Sequence, residues 1–122
     1  MNENQSYVDE AKTIIDGLKK SGKFISISQI RNILAMTADI YNQVKRSPEG
    51  LLTENIQEQL QYLKVRIIYD AGKDKSGSVR AFVEKSGISK KLDALKTKKD
   101  YIKFSNYMEA LVAWRQHYGD ND

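Results

Sequence analysis

The single proline of this chain, Pro48, falls between two periodic stretches and inside none. Proline lacks a backbone N–H and clashes with the preceding turn, so its position leaves long helices possible on both sides. Apolar residues return every three or four positions along most of the chain, the spacing that places them on one face of a helix. Tyr7, Val8, Ala11, Ile14, Ile15 and Leu18 form one such stripe, which Ser21 and Gly22 end. Ser26 and Gln29 have the spacing of a capping box, opening a second helix that carries Ile27, Ile30, Ile33, Leu34, Thr37, Tyr41 and Val44. A third helix is expected from near Thr53 to about Ala71, before Gly72. A short helix bearing Val79, Phe82 and Val83 follows, and Gly87 stops it. The pattern from Ile88 to Lys99 is weaker and fits one short helix, and a last helix runs from about Asp100 to Tyr118. The expected fold is all-α: a single-domain bundle of about five helices spanning residues 1–122, with 119–122 as a frayed tail.

Two features of composition narrow the class. The chain has no cysteine, which excludes disulfides and thiolate metal sites and points to a cytoplasmic protein. No secretory signal is visible near the N-terminus, and no stretch approaches the roughly 20 apolar residues of a membrane span. The net charge is +4, unevenly spread: seven lysines between Lys85 and Lys103 face only Asp93 and Asp100. A basic segment attracts phosphate, but a solvated lysine-rich surface explains this charge more simply.

The third helix carries two apolar stripes. Ile56, Leu60, Leu63 and Ile67 lie on one face, and Tyr62, Val65 and Tyr69 lie nearly opposite. Either the helix is wrapped on both sides within the monomer, or one stripe meets another subunit. Lys64 and Arg66 occupy the flanks, and Arg66 and Lys73 share a polar face with Asn55 and Gln59 that could donate to phosphate or ribose oxygens. An ion pair from Arg66 to Asp70 is the plainer alternative. On the second helix Arg31, Ala35, Ala38, Asn42 and Lys45 form a shallow track between cations.

Recognisable chemistry is missing. His117 stands alone, no histidine–carboxylate cluster has metal-ligand spacing, and no phosphate-binding glycine loop is present. The loop around Ser47–Leu52 is too long for a helix-turn-helix. No enzymatic function and no cofactor are expected. What remains is a helical module that binds a nucleic-acid backbone or other proteins.

Tyr107-Met108-Glu109-Ala110-Leu111-Val112-Ala113-Trp114 resembles the C-terminal signature of the small subunit of the Csm complex, the type III-A CRISPR effector. Three further blocks match in order: Tyr7-Val8-Asp9 with Ala11, Ser28-Gln29-Ile30-Arg31, and Tyr62-Leu63-Lys64-Val65-Arg66 leading into Tyr69-Asp70-Ala71-Gly72-Lys73. The resemblance implies a non-catalytic scaffold in antiviral defence. It would stack in several copies beside other effector subunits and touch mainly the backbone of a guide RNA–target RNA duplex. Base pairing reads the sequence in such complexes, so cations and amides suffice. On that basis Arg31, Lys64, Arg66 and Lys73 are the expected RNA contacts, and Lys45, Arg46 and Arg80 join them on charge and location. Two departures stand out. Lys73 replaces a common arginine, which loses the planar fork. Arg115 falls where an apolar side chain is usual, and is expected to snorkel or to pair with Glu3 or Asp9.

Overall fold

The computed structural model describes residues 6–119 and contains, among them, six helices and no strand. These are α1 (Tyr7–Ser21), α2 (Ile27–Lys45), α3 (Glu54–Lys73), α4 (Ser78–Ser86), α5 (Ile88–Asp93) and α6 (Lys98–His117). The expected all-α bundle is present, and the weak stretch after Gly87 supplies the separate short α5. The positions Glu3 and Asp120–Asp122, named above as a pairing partner and as part of the tail, lie outside the described residues.

Local signals explain most helix starts. Ser6 accepts from the Asp9 amide at 3.0 Å and caps α1. Ser26 and Gln29 close the capping box at the head of α2, at 3.0 and 3.1 Å. Thr53 caps α3 through the Ile56 amide. A second capping box, Thr97 with Asp100, opens α6 two residues before the expected start. Each hydroxyl or carboxylate satisfies an amide that the first helical turn leaves without a partner. Gly22 and Gly87 adopt left-handed conformations, with φ of 82° and 68°, and end α1 and α4. Helix α3 runs through Gly72 to Lys73 rather than stopping before the glycine, because the Asp74 amide still reaches the Asp70 carbonyl. An interior glycine costs a helix only about 1 kcal/mol, which packing of Ala71 readily offsets.

Helix α6 packs along both α1 and α2, and α3 lies against α2, α4 and α5. The core is made where the stripes meet: Ala11, Ile15 and Leu18 of α1, Ile30, Ile33 and Val44 of α2, Leu60 and Ile67 of α3, Phe82 of α4, and Met108 and Leu111 of α6. Two buried tyrosines tie the layers by hydrogen bonds as well as area. Tyr101 donates to the Thr37 carbonyl of α2, and Tyr107 donates to the Ser86 carbonyl at the end of α4. Burial pushes both phenols up, so they remain donors at any ordinary pH.

The connection from α2 to α3 is pinned by α6. Lys98, largely buried, donates to the Lys45 and Ser47 carbonyls at 3.1 and 2.8 Å, and so caps the C-terminus of α2 from another helix. Its ammonium also lies 3.4 Å from Glu49. Beside it Leu51 and Thr97 form an isolated antiparallel bridge.

Candidate nucleic-acid interface

Helices α2 and α3 run antiparallel, and a polar contact joins them beside their apolar core. The side chains of Gln43 and Gln59 donate to each other, both at 2.8 Å. From that pair outward, the groove between the helices holds Met36, Asp39 and Ile40 against Tyr62, Leu63 and Arg66. Further along, it holds Gln29, Asn32 and Ile33 against Asp70, Lys73 and Asp74. Gln59, expected beside Arg66 as a free amide, is therefore engaged within the chain. Asn55 stays exposed.

The second stripe of α3 is not wrapped by the monomer. Tyr62, Val65, Ile68 and Tyr69 are 65, 60, 54 and 58 % exposed, while Leu60 and Ile67 on the other face are fully buried. Of the two readings open from sequence, the described chain leaves this face uncovered. Tyr62, Arg66, Tyr69 and Lys73 follow one another at i, i+4, i+7 and i+11, so aromatic rings and cations alternate along one line of the helix. The Arg66 guanidinium carbon lies 5.8 Å from the centre of the Tyr69 ring, and the Lys73 ammonium lies 5.7 Å from it. No ion pair joins Arg66 to Asp70 among the described residues.

The expected cations do not gather in one cluster. Arg31 is exposed near the start of α2, and Lys45 and Arg46 sit at its far end, about 21 Å from it by helical rise. The Lys45 ammonium lies 5.6 Å from the Tyr41 ring. Ala35, Ala38 and Asn42 are exposed between them, so the shallow track is a surface feature. Arg80 is exposed on α4. Lys64 has a different environment. Its ammonium is bonded to both carboxylate oxygens of Asp93, at 3.0 and 2.8 Å, and joins α3 to α5.

Two of the expectations for Arg115 need correction, and the third, a pair with Glu3, lies outside the described residues. Arg115 neither snorkels nor pairs with Asp9: its side chain is 2 % exposed. Its Nε donates to the Ile25 carbonyl, and one terminal nitrogen donates to the Gly119 carbonyl at 2.8 Å. Its guanidinium lies 3.8 Å from the Phe24 ring centre. Planar donors and a flat cationic face let one side chain satisfy backbone carbonyls and stack at once, which the helical pattern alone could not reveal. Glu109 is exposed on α6 and has no ion pair among the described residues. It borders an open groove with Tyr7, Val8, Ala113 and Trp114. The Trp114 indole donates to the Val8 carbonyl at 3.0 Å, with the Lys12 ammonium 5.6 Å from its ring. His117 ends α6 with its ring against Trp114 and Tyr118.

Two carboxylates, Asp74 after α3 and Asp100 in the first turn of α6, are held below the usual range by backbone amides. Asp74 accepts from the Val79 amide at 2.9 Å and from Ser76, and so caps α4 from outside the helix. Asp100 accepts from the amides of Lys96 and Thr97. Amide donors favour the charged carboxylate.

No helix among the described residues is long and apolar enough to cross a membrane. The model of the family described as Csm2 Type III-A matches residues 2–121. Proteins described as "CRISPR system Cms protein Csm2" are similar over most of the chain. One from Streptococcus thermophilus is 34 % identical over 122 residues, covering 98 % of this chain and 96 % of its own length. One from Mycobacterium tuberculosis (strain CDC 1551 / Oshkosh) is 31 % identical over 119 residues, covering 95 % and 94 %. One from Enterococcus italicus is 34 % identical over 101 residues, covering 80 % and 71 %. With a family match across nearly the whole sequence and relatives of the same extent, the chain belongs to the Csm2 type III-A family, the small subunit of the type III-A Csm complex.

Proposed function

We propose that this chain is a non-catalytic, cytoplasmic scaffold that lines a guide RNA–target RNA duplex within the effector and contacts mainly its backbone. The observation that carries the reading is the exposure of Arg31, Arg66 and Lys73 on α2 and α3, none of them in an ion pair among the described residues. A subunit that must serve every guide needs cations that meet phosphates and no base-specific code. Lys45, Arg46 and Arg80 extend the same surface. Lys64 belongs to it by position, but its ammonium already serves Asp93 and acts first in holding α5.

Copies of the chain stack along the RNA in this reading, and the exposed Val65 and Ile68 of α3 offer apolar area to the next copy. Larger subunits of the effector supply the chemistry, and this chain needs no cofactor. A protein adaptor with incidental basic charge is the competing reading, and salt separates them. Phosphate contacts weaken steeply as counterions compete, whereas an apolar interface does not.

The test is to tag the chain in its native host, isolate it in mild salt, and sequence the RNA that accompanies it. Spacer-derived RNA lost in step with rising salt, together with larger effector subunits, is the expected result. A preparation that holds the subunits but no RNA, from cells shown to express the array, would refute RNA contact by this chain. Metal-dependent RNA cleavage by the purified chain, abolished by EDTA, would refute the non-catalytic assignment.

A further inference from the structure

We propose that Tyr69 is a stacking platform for an unpaired RNA base, with Arg66 and Lys73 holding the phosphates on either side of that nucleotide. The proposal rests on the RNA-contacting reading above and adds to it a contact with a base.

Three observations lead there. Tyr69 is 58 % exposed near the C-terminal end of a helix whose opposite face is buried, so its ring contributes little to the core. Two cations attend it, yet both stay more than 5.5 Å from the ring centre. The contrast is with Phe24, where Arg115 closes to 3.8 Å and covers the ring. Both cations stand over the Tyr69 ring but do not close on it as Arg115 closes on Phe24. Thirdly, the stripe repeats the pairing, with Tyr62 one turn below Arg66 and Tyr69 one turn below Lys73.

An apolar protein surface placed here would desolvate both cations without replacing their hydration. A nucleotide brings what the stripe lacks: a flat π face for the ring and anionic oxygens for the cations. Bases inside an A-form duplex have both faces occupied by their neighbours, so the ring can receive only a base that is unpaired or at a strand end. The occupant is therefore single-stranded RNA.

The experiment is fluorescence anisotropy with the full chain and three ligands: an unstructured single-stranded RNA, the same strand abasic at three central positions, and a duplex of the same length. Tyr69→Ala is expected to weaken the intact single strand about tenfold, within the range for one stacked base, and to leave the other two within about twofold. Tyr69→Phe keeps the ring and is expected to bind like the parent. Both substitutions are on the surface, and circular dichroism confirms that the helices remain. An equal loss on all three ligands, or no loss on any, overturns the stacking role while leaving RNA contact intact. A change in self-association of Tyr69→Ala with RNA affinity unchanged overturns it in favour of a protein interface. Failure of the parent chain to bind any of the three ligands removes both this proposal and the reading beneath it.

Discussion

The Arg115 guanidinium lies 3.8 Å from the centre of the Phe24 ring, inside the bundle, with its nitrogens on the carbonyls of Ile25 and Gly119. One side chain thus joins the end of α6 to the linker between α1 and α2. Arg115→Met keeps most of the volume but leaves the Ile25 carbonyl without this donor. It is expected to cost about 2–3 kcal/mol in urea denaturation, and Arg115→Ala about 1 kcal/mol more for the cavity. A loss below about 0.5 kcal/mol for either would show that the buried cation is dispensable.

Arg31→Ala, Arg66→Ala and Lys73→Ala are each expected to leave the melting temperature within roughly 2 °C, since surface changes of this kind seldom exceed about 0.5 kcal/mol. Each should weaken RNA binding similarly for unrelated guide sequences and lower the salt slope by about one. Filter binding of the assembled complex across a salt series reads both. A loss confined to particular guides would mean base readout rather than backbone contact.

Lys64→Ala is expected to behave differently from those three substitutions. The partners of the Lys64–Asp93 pair are partly exposed, so solvent screening limits its worth to about 0.5–1 kcal/mol. Asp93→Asn should cost about as much, and the double variant little beyond either single one. A double-mutant cycle by chemical denaturation measures the coupling. Additive losses would deny that the contact seen between α3 and α5 contributes to stability.

Asp74 and Asp100 give the fold an acid-sensitive component. Both carboxylates bind protons more weakly in the folded chain than in the unfolded one, through the amides they accept from. Their contribution is complete above the unfolded value of about 4 and is lost as pH falls through the lower folded values. Asp100→Asn should cost about 1 kcal/mol at neutral pH, the usual worth of a helix cap. Its stability should also fall less steeply than the parent's below about pH 4. Parallel curves for parent and variant would show that the cap does not depend on charge.

What could be read from the sequence was local. The capping box of Ser26 and Gln29, the stripes of α1 and α2 and the left-handed glycines are decided within a few residues, and spacing exposes them. The signature block around Tyr107–Trp114 identified the family while supplying mostly core: Tyr107, Met108, Ala110, Leu111 and Val112 are buried. Contacts that depend on distant partners were not readable. Lys64 meets Asp93 from 29 positions away, Lys98 caps α2 from 51 and 53, and Arg115 reaches Ile25 across 90. A cation has the same appearance in sequence whether it faces solvent or a carbonyl, so the candidate surface could be proposed by type but not sorted.

The mutual pair of Gln43 and Gln59 carries no charge, so neither added salt nor a change of pH weakens it electrostatically. The contact between α2 and α3 thus includes a neutral clasp beside its apolar core. Ionic conditions that screen the exposed cations beside it leave this clasp as it was. The exposed charges of α2 and α3 thus respond to salt, while the contact that joins their two helices does not.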